Sequence, residues 1–389
     1  MAPKNDQVQR AKQEMDSTPV RILHVVGAMN RGGVETWLMH VLRRIDRVRF
    51  PMDFLVHTCQ PAAYDNEIQA LGSRIIPCPN PHQPLIYAYR LKRVLQEYGP
   101  YDVLHSHVHH YSGWVLRAAH DTGVPMRIAH SHSDTSPLSD QARILRRVYL
   151  NLMRRWILRY ATQGLACSKS AASALFGPRW EKDERWRVVY CGIDVTPFKK
   201  AVDRASVRAQ LGITPDAVVL GHVGGLREPK NQDFLIDVAV EALRRESRVR
   251  LLLIGEGPLR QRLERKAATF DILDKVIFAG LREDVPRLMK GAMDVFIMPS
   301  LFEGLPLAAI EAQAAGLPII FSDSITPEVE IVQPLVQRLP LSRGPREWAE
   351  LALRLTKGTV EASSRSLSLI ETSAFNINNG IAALMKLYG

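Results

Sequence analysis

From Arg21 onward, short runs of β-branched and other apolar residues alternate with longer amphipathic stretches whose apolar positions recur at helical spacing. An alternation of this kind predicts a parallel sheet with crossover helices. The first series predicts strands over residues 21–26, 52–56, 102–104, 126–129 and 164–166, each followed by a helical pattern. The pattern then begins again, with strands expected over 218–223, 250–254, 276–278, 294–298 and 318–321. Between the series, residues 191–216 carry Gly192, Pro197, Gly212 and Pro215 among charged residues and have little strand character, which reads as an interdomain linker. The expected fold class is therefore α/β, with two Rossmann-like doubly wound domains facing a cleft. Ligands in such sheets sit at the carboxyl ends of the strands.

Composition narrows the function classes. A chain of 389 residues is long enough for two domains, and 46% hydrophobic with 23% charged residues is ordinary globular material. The longest apolar runs, at 251–254 and 295–298, fall far short of the roughly 20 residues that cross a bilayer. Residues 1–20 lack an apolar core, so a disordered tail is expected there and a secretory signal is not. Cys59, Cys78, Cys167 and Cys191 match neither a disulfide framework nor a zinc site, and a reducing cytoplasm is the simplest location. The net charge of +11 leaves nucleic acid, anionic lipid or a phosphorylated substrate as partner classes.

Three segments carry candidate chemistry. After the first predicted strand comes Gly27-Ala28-Met29-Asn30-Arg31-Gly32-Gly33-Val34-Glu35-Thr36 and then an amphipathic helix. Paired glycines let the backbone turn tightly and approach a ligand, and the free N–H groups of a helix start suit an anion. Taken alone, the segment is equally a plain strand-to-helix turn. At the head of the second series, Gly221-His222-Val223-Gly224-Gly225-Leu226-Arg227-Glu228-Pro229-Lys230-Asn231 repeats the arrangement. Lys230 stands where a flexible ammonium can reach a diphosphate, and Asn231 is placed to cap the next helix. A solvated loop lysine is the plain alternative. The densest segment is Pro299-Ser300-Leu301-Phe302-Glu303-Gly304-Leu305-Pro306-Leu307-Ala308-Ala309-Ile310-Glu311. Pro306 is placed to begin a helix where a missing N–H costs least, which would offer the Leu307 and Ala308 amides to a phosphate. The spacing of Glu303 and Glu311 lets both carboxylates face one pocket, one reading the ribose of a nucleotide and the other a sugar ring.

Taken together, these segments resemble the retaining, nucleotide-sugar-dependent glycosyltransferases of GT-B architecture that carry a Glu-x7-Glu motif. The segments at 127–133 and 165–170 are similar to those of the exopolysaccharide and capsule biosynthesis branch. The resemblance implies a domain at 21–195 that takes the acceptor, a linker at 196–216, a domain at 217–372 that binds the nucleotide sugar, and a C-terminal helix within 373–389 returning toward the first domain. It implies that Glu303 contacts the transferred sugar, Glu311 holds the ribose and Lys230 neutralises the leaving diphosphate. Gly32 and Gly33 would close over donor phosphate, with Gly224, Gly304, Leu305, Leu307 and Ala308 completing the donor site. The first-domain histidine near the reacting centre would be His132, with His130 as the alternative. Two positions depart from the family pattern. Gly225 stands where an arginine usually follows the loop glycine, so Arg227 would have to reach in, and Cys191 stands where an asparagine is usual. The implied activity is hexosyl transfer from a nucleotide-diphosphate sugar, with UDP expected, to a hydroxyl on a glycan, a lipid-linked or a small-molecule acceptor. A nucleotide-sugar 2-epimerase on the same fold and a non-catalytic membrane-associated assembly partner are the rival readings.

His105, His107, His109, His110, His130 and His132 form a dense group, and His105 and His107 point to one face of a strand. No carboxylate or cysteine has suitable spacing beside them, and the chain has no Asp-x-Asp pair, so neither a metal nor a cofactor is expected. Residues 141–180 contain no Asp or Glu, and Arg143, Arg146, Arg147 and Arg154 cluster on one side of a helix. Ile144, Leu145, Val148, Tyr149, Leu152, Met153, Trp156 and Tyr160 fall on the other. That helix reads either as core-packed with a solvated arginine face or as a surface for anionic lipid headgroups or a polyprenyl-diphosphate acceptor. Peripheral attachment to the cytoplasmic membrane face follows from the second reading. No nucleic-acid-binding module is recognisable, and no nucleic-acid partner is expected.

Overall fold

The structure, a computed structural model, describes residues 18–133, 144–357 and 365–389. The chain divides into two compact units, one of residues 1–190 with 378–389 and one of residues 191–377. Most of the expected tail and Arg143 lie outside the described residues.

Unit 1 is built on a parallel sheet of seven strands in the order β3-β2-β1-β4-β5-β6-β7. The strands are β1 (Ile22–Val26), β2 (Met52–Val56), β3 (Ile75–Pro77), β4 (Val103–Ser106), β5 (Met126–Ser131), β6 (Gln163–Ala166) and β7 (Trp186–Val188). Unit 2 holds six parallel strands in the order β10-β9-β8-β11-β12-β13, namely β8 (Val218–Val223), β9 (Val249–Ile254), β10 (Val276–Gly280), β11 (Val295–Met298), β12 (Ile319–Phe321) and β13 (Val336–Arg338). In each sheet the winding reverses beside the first strand, between β1 and β4 and between β8 and β11. Loops at such a reversal splay apart and leave room for a ligand. The two doubly wound α/β domains expected from the alternation are present. Central strands such as β1, β2 and β11 are buried throughout, which is why they read as unbroken apolar runs. The strands that periodicity missed, β3, β7 and β13, are short edge strands held by one neighbour each.

The stretch read as a linker is folded into unit 2. It forms a short helix at Thr196–Lys199 and a second, α1, at Arg204–Gln210. Arg208, only 5% exposed, explains why. Its guanidinium donates to Pro215 O at 2.8 Å and Ala217 O at 2.9 Å, and to both oxygens of Asp294 at 2.8 Å. Asp294 also accepts from Val219 N at 2.8 Å at the start of β8. A charged residue in a glycine- and proline-marked stretch gives no local sign of so distant a partner.

The basic helix, α2 (Ile144–Tyr160), departs from expectation in its first half. It crosses α3 (Ser112–Asp121) at Gly113, where a Cβ would lie 2.9 Å from Met153 O. Met153 and Ile157 are buried and Trp156 meets Trp114 edge-on, with ring centroids 4.7 Å apart. Ile144, Leu145, Val148, Tyr149 and Leu152, expected on a packed face, are instead exposed, Leu145 by 85%. Gly113 fixes where the helices touch, and that contact lies in the second half of α2. Arg146 and Arg147 are exposed, whereas Arg154 turns inward and donates to Ala174 O at 3.0 Å, so it leaves the predicted basic face.

The last helix, α4 (Ile377–Tyr388), ends in unit 1, where Tyr388 is buried and its hydroxyl lies 2.8 Å from His105 Nδ1. No helix among the described residues is long and apolar enough to cross a membrane.

Replacing Arg208 with Ala strands the Pro215, Ala217 and Ala292 carbonyls, while Asp294 keeps its ion pair with Arg204 at 2.7 Å. The lost hydrogen bonds are expected to cost about 3 kcal/mol, read as a lower urea midpoint with an unchanged slope. Wild-type stability in the variant would show that the guanidinium is dispensable.

Candidate functional site

Beyond β8, the chain turns through Gly224 and Gly225 into a single turn at Glu228–Lys230 and then helix α5 (Gln232–Leu243). Buried His222 sets this loop. Its Nδ1 lies 2.9 Å from Ile297 O, which can only accept, so Nδ1 carries the proton and Nε2 faces the Gln232 amide at 3.3 Å. Burial pushes the His222 ring down to about 4, which keeps it neutral. Gln232 also donates to Gly225 O at 2.9 Å. Asn231 takes the left-handed conformation at φ 55°. Its side chain does not cap the helix, as expected of it, but donates to Pro299 O at 3.1 Å. Leu301 N donates to Pro229 O at 2.8 Å, so two bonds fasten the Lys230 loop to the loop after β11.

That clamp brings Lys230 and Glu303 together. Lys230 Nζ is 2.5 Å from Glu303 Oε1, which also accepts from Ser300 Oγ at 2.8 Å. The carboxylate is 10% exposed and the ammonium 25%, so the pair is sheltered yet reachable from solvent. The Lys230 stem runs over Gly224, where a Cβ would stand 3.5 Å from its Cδ. At Gly225 a Cβ would stand 3.7 Å from Arg227 Nε. The Arg227 side chain therefore lies alongside the position where the resembled family carries its arginine.

Helix α6 (Leu307–Ala314) opens just beyond Gly304 and Leu305. Pro306 is its N-cap, one residue ahead of the expected position, and Leu307 and Ala308 supply the first amides, which have no acceptor within the helix. Glu311 stands one turn further along. Burial pushes its carboxyl up to about 7, and no side chain among the described residues pairs with it. The two glutamates of the motif thus differ sharply: one is neutralised by an ammonium, the other is left to the field of its surroundings.

In unit 1, helix α7 (Gly33–Arg44) follows β1. Gly32 is its N-cap, and a Cβ there would fall 2.2 Å from Glu35 Oε2, which folds back over the helix start. Around Gly33 nothing lies within 4 Å of a Cβ position, so its lack of a side chain answers to no neighbour in the chain.

His132, the expected catalytic histidine, belongs to a layer of five imidazoles. His24 on β1 sits in register with His105 on β4, and His107, His130 and His132 extend the layer along β4 and β5. His24 Nδ1 lies 2.9 Å from His107 Nε2, and His107 Nδ1 lies 2.8 Å from His132 Nε2. His105 Nε2 lies 3.1 Å from His130 Nδ1. Trp37 of α7 covers His130 edge-on at a centroid distance of 5.3 Å. Burial pushes His24 and His132 down to about 3 and holds His105, His107 and His130 well below the ordinary range, so the layer is neutral. No metal was expected here, yet His107, His130 and His132 each bring a ring nitrogen within 4.8 Å of the others. The carboxyl ends of two adjacent strands, β4 and β5, contribute to that spacing, which a linear reading of the histidines cannot show.

Sequence reasoning also missed an aromatic cavity of about 450 Å3 in unit 1, lined by His57, His82, Tyr111 and Tyr149 among others. The Tyr111 hydroxyl is buried there with no partner among the described residues. Its walls come from segments far apart in the chain and carry no motif. A larger hollow of about 740 Å3 in unit 2 includes Arg204, Arg208 and Asp294 and lies at the amino ends of β8 and β11, away from the motif.

Residues 217–357 match the family model described as Glycosyl transferases group 1, and residues 31–196 match that of Glycosyltransferase Family 4. EpsF of Bacillus subtilis (strain 168), named as a glycosyltransferase, is 36% identical over 379 residues, covering 96% of this chain and 97% of that protein. CapH of Staphylococcus aureus, named as a capsular polysaccharide biosynthesis glycosyltransferase, is 23% identical over 381 residues, covering 95% and 98%. The solved structure of Anabaena HepE in complex with UDP and glucose matches the fold with a TM-score of 0.79 at 19% identity, over 95% of this chain and 99% of that one. Two Rossmann-like parallel-sheet domains, both family matches and near full-length identity to EpsF place this chain in the group 1 glycosyltransferase family of GT-B fold.

Proposed function

We propose that this chain transfers a hexosyl group, with retention at the anomeric carbon, from a UDP-sugar to an acceptor hydroxyl in polysaccharide assembly, with no metal on the diphosphate. The observation that carries the reading is the Lys230–Glu303–Ser300 cluster beside the open start of α6. Glu303 holds the ammonium in place. An arriving diphosphate offers Lys230 a stronger partner, and Arg227 with the Leu307 and Ala308 amides adds charge stabilisation where the leaving group develops it. Glu303, released toward the sugar, accepts from its hydroxyls. It serves to position the sugar and is not assigned as a nucleophile. Glu311 takes the ribose hydroxyls, which supply the donors that this carboxylate lacks. Gly32 and Gly33 admit donor phosphate close to the backbone, and His132 lies beside the acceptor. The UDP of the HepE complex supports the choice of nucleotide by likeness of fold.

For the acceptor we favour a lipid-linked glycan at the cytoplasmic membrane face. The exposed first half of α2 supports this, because Ile144, Leu145 and Val148 stand among Arg146 and Arg147. Apolar side chains enter the headgroup boundary while each nearby arginine gains about 1 kcal/mol from anionic lipid.

Glu303→Ala is expected to lower kcat by about 100-fold or more while leaving UDP affinity within about threefold, whereas Glu311→Gln weakens UDP binding by about tenfold or more. Calorimetry with UDP alongside a transfer assay reads both effects, and full activity in both variants would remove the site. The raised carboxyl of Glu311 also has a stability consequence with a definite sign. Its folded-state value of about 7 exceeds the ordinary 4.5, so the folded chain binds this proton more tightly than the unfolded chain. Stability is therefore lost as pH rises from 4.5 through 7, and the cost is fully present above that. Glu311→Gln should raise the unliganded melting temperature at about pH 8 and leave it nearly unchanged at about pH 5. Equal shifts at both values would place the carboxylate in a well-solvated site. For the membrane, flotation with vesicles rich in phosphatidylglycerol should carry the chain upward at low salt, and Arg146→Glu with Arg147→Glu should abolish it. Binding indifferent to salt and to both substitutions would overturn the electrostatic account.

A further inference from the structure

We infer that unit 1 contains a site for a zinc-type divalent cation, formed by His107, His130 and His132 as ligands, with His24 and His105 orienting two of them. The three rings arrive from the carboxyl ends of adjacent strands β4 and β5, and each places a nitrogen within 4.8 Å of the other two. A hydrogen-bond account of the layer leaves nitrogens over. A neutral imidazole offers one donor and one acceptor, so a chain of imidazoles satisfies its interior and orphans an end. The chain from Tyr388 through His105 ends at His130 Nε2, and the chain from His132 through His107 ends at His24 Nε2. Both terminal nitrogens are fully buried and have no partner among the described residues. Such groups are rare in folded proteins and call for an explanation.

A metal supplies one for His130, through Nε2. The outer nitrogen of His130, Nδ1, is then free to donate to His105 Nε2 at 3.1 Å, and that of His107, Nε2, to His24 Nδ1 at 2.9 Å. Metal-bound histidines are held in this way, with the second ring nitrogen donating to a fixed acceptor. The remaining pair, His107 Nδ1 and His132 Nε2, sits 2.8 Å apart. Two nitrogens at about 2.05 Å from a tetrahedral ion stand about 3.3 Å apart, so the pair must open by only about half an ångström. Neutral imidazoles have no proton to displace from the ligating nitrogen once the tautomer is set, which favours metal capture near neutral pH.

His24, His105 and His107 also meet the spacing, but that set includes two fully buried rings with no carboxylate to balance a dication. His107 and His132 are only partly buried, so the outer set leaves a fourth position open to water or hydroxide. With three nitrogen ligands and no oxygen, the site selects zinc, cobalt or nickel over magnesium, calcium or manganese. It is therefore separate in chemistry from a metal on the donor diphosphate. If His132 lies beside the acceptor as proposed above, the cation would occupy its lone pair and inhibit transfer.

The test uses the full chain, free of any added histidine tag and stripped with a chelator. Calorimetry with Zn2+ should show one ion per chain, Mg2+ should give no heat, and Co2+ should develop the visible absorption of a four-coordinate site. His130→Gln and His107→Gln should each weaken Zn2+ binding by about 100-fold, His24→Gln by about 10-fold or more, and His82→Gln not at all. X-ray absorption on the zinc-loaded wild type, which needs no variant to fold, should find three imidazole ligands and no sulfur. Absence of stoichiometric binding, binding untouched by His130→Gln, or a sulfur ligand would each overturn the site. Stoichiometric binding of this kind without inhibition of transfer would sustain the site and count against the placement of His132 beside the acceptor.

Discussion

In a parallel sheet every strand ends at the same edge, and this constraint governs where both units of the chain can hold polar side chains. Central strands covered on both faces must be apolar along their length, so hydrogen-bonding and charged groups collect where each strand gives out. In unit 2, β8 runs into Gly224 and Lys230 and β11 into Ser300 and Glu303. In unit 1, β1 runs into Gly32 and Gly33, while β4 and β5 release His107 and His132. The strand pair at each winding reversal determines which of these ends become neighbours.

Placement alone does not distinguish the two motif glutamates; their surroundings do. Lys230 arrives beside Glu303 only because Asn231 and Leu301 tie the two loops together through Pro299 and Pro229. In the resulting pair each charge compensates the other. Glu311 has no such counter-charge, and its carboxyl rises to about 7 through desolvation. A carboxylate that costs stability when nothing is bound gains most from a ligand that brings hydroxyl donors. The difference in charge compensation thus argues for the same division of labour that the family resemblance implies.

Much of this was legible in the sequence, for physical reasons that also explain what was not. Buried strands and turn-forming glycines are local features, so β2 and β8 were located to the residue, and the Pro299 to Glu311 segment stood out before its geometry was known. Long-range pairing leaves no local mark. The 196–216 stretch looked like a linker because its anchor, Asp294, lies far along the chain from Arg208. Asn231 looked like a cap, since nothing local reveals that Pro299 O will take its amide. Edge strands such as β13 acquire their conformation from a neighbour and carry no period of their own. The histidine layer was visible as a count of residues, but its spacing exists only once three strands lie side by side.

The excess positive charge shows how a bulk property divides into unrelated local ones. Arg154 lies on a helix face read as solvated or lipid-facing and Arg208 in a stretch read as a linker, yet each donates to backbone carbonyls inside its own unit. A guanidinium satisfies several acceptors at once while its stem packs, so it serves as a structural cross-link where a lysine would leave carbonyls unpaired. Arg146 and Arg147 have a different setting, because the contact at Gly113 brings α2 down onto α3 only near Met153. Before it, Ile144, Leu145 and Val148 are exposed together with the arginines, while Tyr149 reaches the cavity lined by His57 and Tyr111. Had residue 113 carried a side chain, the helices could not approach at Met153, and the same sequence of α2 would have had no fixed boundary between its packed half and its exposed half.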